Sequence, residues 1–179
     1  MRGIFAVTLA ALSLCAPAWA GEGGAQPALA VRIVSPDRHR GEGPQLITLH
    51  QPSQQFHVVV TNVSGKPLRL WREWCSWGYY MLSFRVTGED GETVTVKKAA
   101  RGWSKNYPDW NLLQPGDHMV YEVSFDKKTW PNGPLPQEGK LREVKMSAVI
   151  EVEADAESKR EDVWTGKVAS PERTYKIAR

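Results

Sequence analysis

Residues 56–68 read Phe-His-Val-Val-Val-Thr-Asn-Val-Ser-Gly-Lys-Pro-Leu. In this stretch the side chains of Phe56, Val58 and Val60 fall on one face at a period of two, which is the pattern of a strand with one buried side. The residues that follow, 62–67, include Asn, Ser, Gly and Pro, which are turn formers. The stretch therefore predicts a half-buried β-strand that ends in a tight turn.

The same combination of alternating run and turn recurs along the chain. Residues 88–91 and 114–117 carry Gly or Pro-Gly at positions that suit tight turns. No window combines a helical period with capping residues. About seven to nine short strands without intervening helices predict an all-β fold, a single Ig-like antiparallel β-sandwich. The predicted strands lie at 28–34, 54–63, 80–86, 93–96, 119–125, 144–152, 163–168 and 174–177.

The first 20 residues predict export. An uncharged apolar run from Ile4 to Cys15 follows one positive charge, and Ala18-Trp19-Ala20 supplies small residues at the positions that a signal peptidase reads. The run is shorter than the ~20 apolar residues that cross a bilayer. We therefore expect a signal peptide at 1–20, a flexible leader at 21–27, a domain at 28–179 and a periplasmic or extracellular location.

Charge and composition exclude several classes of function. The 179 residues include 23 Lys plus Arg and 20 Asp plus Glu, which gives a formal net charge of +3. This field is too weak for a protein that binds nucleic acid through bulk charge. Two cysteines are too few for a disulfide-stapled miniprotein or a Cys-rich zinc site. We expect no nucleic acid partner, no membrane span and no cofactor.

Two motifs in the sequence resemble bacterial Ig-like domains. The 56–68 stretch is similar to their early strand and turn, and Leu113-Gln-Pro-Gly-Asp117 is similar to a later turn. With Asp90-Gly91 in a central hairpin, the order resembles the intracellular proteinase inhibitor (BsuPI-type) domain over roughly residues 54–125. Because the motifs consist of turn and strand residues, the resemblance implies a sandwich fold, with proteinase inhibition as an alternative function.

The segment 70–80, Leu-Trp-Arg-Glu-Trp-Cys-Ser-Trp-Gly-Tyr-Tyr, contains the only cysteine after the signal peptide. An extended segment would put Trp71, Cys75 and Trp77 on one face and Trp74 on the other. We expect Cys75 to be a small buried hydrophobe among Trp rings. The alternative is a thiol-dependent or metal-handling protein centred on Cys75, which is the weak candidate for a metal ligand.

Aromatic residues in polar, Gly- and Pro-containing loops are the strongest sign of a binding surface. Indole and phenol rings with polar neighbours can stack on sugars or anchor a protein partner, although Trp rings also close the ends of cores. The sequence predicts a non-enzymatic binding or accessory module that contacts a protein or glycan. The candidate ligand-binding residues are Trp103, Tyr107, Trp110, Trp130, Arg101 and Lys105, together with Trp71 and Trp77.

Two charged stretches are interpreted as solvated strand edges. Lysines that face solvent discourage unwanted strand pairing, and carboxylates two residues apart on a strand are too far apart to close on one calcium ion. The basic stretch comprises Lys97, Lys98, Arg101 and Lys105, and the acidic stretch comprises Glu151, Glu153, Asp155 and Glu157.

Overall fold

The structure is a computed structural model that describes residues 27–35, 45–48 and 55–178. The predicted signal peptide and the leader up to residue 26 lie outside the described residues. The first six strands are β1 (Leu29–Val34), β2 (Gln45–Thr48), β3 (Phe56–Asn62), β4 (Leu68–Trp71), β5 (Leu82–Thr87) and β6 (Thr93–Lys97). The others are β7 (Trp110–Leu113), β8 (His118–Val123), β9 (Leu141–Val152), β10 (Gly166–Ala169) and β11 (Arg173–Ala178), with helices α1 (Ser76–Tyr79) and α2 (Ala156–Arg160).

The strands form an all-β sandwich, which confirms the predicted fold class. One sheet has the order β1-β3-β8, and the other has the order β2-β11-β9-β5-β6. Strand β9 organises the second sheet, because one of its edges pairs with β5 and the other pairs with both β11 and β10. Strands β4 and β7 make a separate antiparallel pair at one end.

Aromatic rings from both sheets meet in the core. Phe56 of β3 lies 5.7 Å from the ring of Phe84 of β5 and 5.2 Å from that of Phe125. The ring of Trp130 packs edge-on against Phe84 at 5.2 Å. These contacts join the sheets at distances typical of edge-to-face aromatic packing.

Asn62 connects the turn after β3 with the turn before β8 through hydrogen bonds. Its buried side-chain amide donates to the carbonyls of Lys66 and Leu113, both at 2.9 Å, and its Oδ1 accepts from Ser64. The backbone N–H of Gly116 donates to the carbonyl of Asn62 at 2.8 Å. The turn after β3 and the turn before β8 therefore share one hydrogen-bonded residue.

Several details differ from the sequence prediction. The described residues contain eleven strands, and β2, β4 and β7 were missed because four residues are too few to display a clear period of two. The pair β2–β11 is parallel. The strand predicted at 163–168 begins at Gly166. Two short helices were also missed, since each is about one turn long.

The acidic stretch does not continue strand β9 as predicted. The strand ends at Val152, and Asp155 is the N-cap of α2. The Asp155 carboxylate accepts from the Ser158 backbone N–H at 2.7 Å, and the Ser158 hydroxyl accepts from the Asp155 N–H at 3.0 Å. This reciprocal pair is a capping box, which stabilises the first turn of a helix.

Candidate functional site

The Trp-rich segment after β4 folds into a turn and helix α1 and is not extended. The N–H of Cys75 donates to the carbonyl of Arg72 at 3.3 Å, and the N–H of Tyr79 donates to the carbonyl of Cys75 at 2.9 Å. A Cβ on Gly78 would lie 1.9 Å from the Arg72 carbonyl oxygen. The turn therefore requires glycine at this position, and the two-face pattern of an extended strand ends at Trp71.

Trp71 and Trp77 pack against each other at the base of this segment. Their ring centroids lie 5.6 Å apart with an interplanar angle of 31°. Trp71 is 1% exposed and packs into the core, so, contrary to the sequence prediction, its ring does not form part of an exposed binding face. Trp77 is half-buried and packs against the same core. Trp77 thus keeps part of its ring accessible.

The loop between β6 and β7 wraps around α1 and is fixed to it by polar contacts. The side-chain amide of Asn106 accepts from the Ser76 N–H at 2.9 Å and donates to the Ser76 hydroxyl at 2.8 Å. The Asp109 carboxylate accepts from the Trp74 indole N–H at 2.6 Å, and its backbone carbonyl accepts from the Arg72 N–H at 2.9 Å. The loop and the Trp-rich segment therefore form one structural unit.

This unit presents exposed rings to solvent. We call Trp74, Tyr80, Trp103 and Tyr107 the aromatic face; Tyr107 is 73% exposed, Trp74 64% and Tyr80 45%, and Trp103 is half-buried. Tyr79 packs between Tyr80 and Trp103 and so joins these two rings. The sequence prediction included Trp103 and Tyr107. It did not include Trp74 and Tyr80, because their exposure depends on the turn at α1.

Guanidinium groups lie against the rings of this face. Arg72 Cζ is 4.9 Å from the ring centroid of Trp74, and Arg101 Cζ is 4.9 Å from that of Trp103. The Tyr80 hydroxyl accepts from the backbone N–H of Arg101 at 2.9 Å. Arg101 and the predicted Lys105 are both exposed. Arg72 is ion-paired with Asp109 at 3.5 Å, so the positive charge beside the aromatic face comes from Arg101 and Lys105.

Two residues predicted to bind a ligand, Trp110 and Trp130, lie outside the aromatic face. Trp130 is 3% exposed within the Phe cluster, so its assignment to the binding surface is wrong because the ring fills the core. Trp110 lies on β7, half-buried, with Arg69 Cζ 4.1 Å from its ring and its indole N–H donating to Glu161 at 3.3 Å. This hydrogen bond is the main cause that lowers the pKa of the Glu161 carboxyl. Trp110 belongs to the contact between β7 and the end of α2.

Lys98 is buried, contrary to the predicted solvated edge. Its side chain is 3% exposed, and its ammonium group pairs with the Glu73 carboxylate. The Nζ atom lies 4.6 Å from the ring centroid of Tyr79 and 5.6 Å from that of Trp130. The other basic residues of that stretch, Lys97, Arg101 and Lys105, are exposed.

A cleft of about 610 Å³ opens beside α1, between the ends of β6 and β9. Asp155 at its rim has a lowered pKa, chiefly because the Ser158 backbone N–H bonds its carboxylate, with smaller contributions from the Ser158 hydroxyl and the Trp77 indole. The aromatic and apolar lining comprises Trp71, Trp77, Tyr80 and Met81. The polar lining includes Ser76, Ser83, Lys97, Lys98, Glu151, Glu153 and Asp155.

Cys75 is buried, at 1% exposure, as the sequence led us to expect. Its thiol donates to the carbonyl oxygens of Arg72 at 3.2 Å and Asp109 at 3.7 Å. Within residues 27–35, 45–48 and 55–178, His, Cys, Asp and Glu side chains form no group of three or more suited to a metal ion. The surroundings of Cys75 are those of a core residue.

No family model, curated protein or solved structure matches the chain. The similarity to proteinase inhibitor domains therefore stays a prediction that rests on the two turn motifs. Neither helix in the described part of the chain has the length and apolar character needed to cross a bilayer.

Proposed function

We propose that this protein is an exported, non-enzymatic binding module whose aromatic face contacts a protein or a glycan. The observation that carries the proposal is the exposure of Trp74 and Tyr107, at 64% and 73%. Trp side chains are highly buried on average, and Trp, Tyr and Arg dominate the energetics of known interfaces.

The attachment of the rings supports the same proposal. Trp74 is hydrogen-bonded to Asp109, and Tyr80 to the backbone of Arg101. Side chains that are already ordered lose less conformational entropy when a partner binds. The guanidinium group of Arg101, which lies over Trp103, adds charge that would orient a partner and speed its association. The export component of the proposal rests on the sequence of residues 1–20.

The test uses the mature protein with Trp74→Ala and Tyr107→Ala, singly and combined. A partner is first isolated by cross-linking from the envelope and secreted fractions of the host, and a glycan array is screened in parallel. The dissociation constant is then measured with the purified partner or glycan. We expect each variant to weaken binding by about tenfold or more, the size of an interface anchor.

Leu141→Ala is the matched control, because Leu141 is 63% exposed on β9 and outside the aromatic face. It should leave both binding and stability unchanged. Unchanged affinity in the Trp74 and Tyr107 variants would refute the proposal. Inhibition of a proteinase, which the resemblance implies, would be one form of protein contact, and a broad panel of proteinases assayed for inhibition decides whether it applies.

A further inference from the structure

The cleft beside α1 is lined in part by a buried tryptophan whose indole N–H is unpaired within the described part of the chain. Trp71 lines the cleft and is 1% exposed, and its indole N–H has no hydrogen-bond partner among the described residues. Because the Trp71 ring lines the cleft, a ligand bound there would change the surroundings of this buried N–H, which makes it a reporter of occupancy.

The charged groups of the cleft do not favour an ionic ligand. Lys98 is paired with Glu73, and Glu151 is paired with Lys167 at 2.9 Å. The lining groups that have no ion pair within the described part of the chain are Lys97, Glu153 and Asp155. They carry both signs, so a cation would meet Lys97 and an anion would meet the two carboxylates.

A neutral ligand with many hydroxyl groups fits these groups best. A hydroxyl both donates and accepts, so it can donate to the Glu153 carboxylate and accept from the Lys97 ammonium group. Trp77 and Tyr80 offer apolar ring surface against which the C–H face of a sugar can pack. The volume of about 610 Å³ lies within the range of small-molecule sites.

We infer that this cleft binds a sugar unit of a neutral oligosaccharide. The inference rests on the proposed binding function and narrows its partner to a glycan. Tyr80 belongs both to the cleft lining and to the aromatic face. A glycan chain with one unit in the cleft can therefore continue across Tyr80 onto that face.

The experiment measures binding of three probes to the mature protein. The first is a set of neutral tetrasaccharides, with β-1,4-linked glucose, α-1,4-linked glucose and β-1,4-linked N-acetylglucosamine. The others are a lysine-rich peptide and a sulfated polysaccharide, as a cation and an anion. Two-dimensional NMR follows the indole N–H resonances, and the Trp71 resonance is identified with Trp71→Phe. We expect a tetrasaccharide, but neither ionic probe, to shift it.

Two cleft variants and two matched controls then locate the site. Glu153→Gln removes the charge from one hydrogen-bond acceptor and Lys97→Met removes one donor, both at exposed positions, so each should weaken tetrasaccharide binding by about 2- to 10-fold. Glu143→Gln and Lys145→Met make the same changes at exposed positions of β9 outside the cleft and should change the affinity less than twofold.

The outcomes separate this inference from the proposed function. No tetrasaccharide binding at about 1 mM, or binding of an ionic probe alone, overturns the inference. Tetrasaccharide binding that Tyr107→Ala weakens and the cleft variants do not also overturns it, while the aromatic face keeps its proposed function. If the face variants affect only a purified protein partner, the module binds protein and the cleft is not a glycan site.

Discussion

The ammonium group of Lys98 forms an ion pair with the carboxylate of Glu73, and the two side chains differ sharply in exposure, at 3% and 48%. Lys98 also lies against the rings of Tyr79 and Trp130. The pair therefore links the end of β6, the core and the Trp-rich segment. Its two members should respond unequally to substitution.

Glu73→Gln should destabilise the protein more than Lys98→Met. The first change leaves a buried ammonium group without its carboxylate, at a cost of about 1–3 kcal/mol. The second leaves a carboxylate that is half exposed and can be hydrated, and it replaces the lysine with an apolar side chain of similar length. We expect Lys98→Met to cost less than about 1 kcal/mol. Urea unfolding of the single and double variants measures this difference, and equal costs would contradict it.

Gly78→Ala should be among the most damaging single changes in this domain. The new Cβ would lie 1.9 Å from a backbone oxygen, so the turn before α1 would have to open. We expect a loss of about 3 kcal/mol or more in the free energy of unfolding. Gly65→Ala is the control, because nothing lies within 4 Å of its added Cβ. A thermal melt of Gly78→Ala that matches Gly65→Ala would show that the turn is not needed.

Asn62→Asp should destabilise the fold although the two side chains have nearly the same shape. The Asn62 amide donates to the carbonyls of Lys66 and Leu113, and a carboxylate would face the same two oxygens. Because the site is buried, we expect a cost of about 2–4 kcal/mol at neutral pH. The loss should shrink as the pH falls and the carboxylate is protonated. A pH-independent loss in denaturant titrations would argue against this cause.

The cap of α2 should add an acid-sensitive contribution to stability. The pKa of Asp155 is lowered in the folded protein, so its contribution is complete above the unfolded pKa near 4 and is lost as the pH falls through the folded pKa. Asp155→Ala should cost about 1 kcal/mol at pH 7. The difference between the native protein and this variant should narrow as the pH falls below the unfolded pKa of about 4 and through the lower folded pKa. Asp155→Asn keeps a capping oxygen without the charge, so the unfolding free energy of this variant should depend less on pH over the same range.

Cys75 should react slowly with a thiol reagent in the folded protein and completely after unfolding. Its side chain is 1% exposed and bonded to backbone carbonyls. Labelling of native and urea-unfolded mature protein, followed by mass spectrometry, measures the two rates. Fast labelling of the native protein at neutral pH would reopen the thiol and metal hypotheses, and metal titration of the native protein and Cys75→Ser would then decide between them.

Much of the fold could be predicted because strand periodicity is a local property. The alternation in 56–62 and 144–152 follows from the need to bury one face of a strand, and the structure contains both strands. The strand β4 and the helix α1 could not be predicted in this way. Strand β4 has only four residues, which are too few to show a period of two. Helix α1 depends on the close approach of Gly78 to the carbonyl of Arg72 across the turn.

The sequence by itself determined the strand pattern, the turns and the concentration of Trp residues in loops. These features depend on residue type and on neighbours along the chain. Only the tertiary structure decided which rings face solvent. Residue type and spacing do not distinguish Trp130 from Trp74. Trp130 packs against Phe84 in the core, whereas Trp74 lies on a turn outside the core. Burial of a side chain depends on contacts between residues far apart in the chain, which residue spacing does not encode.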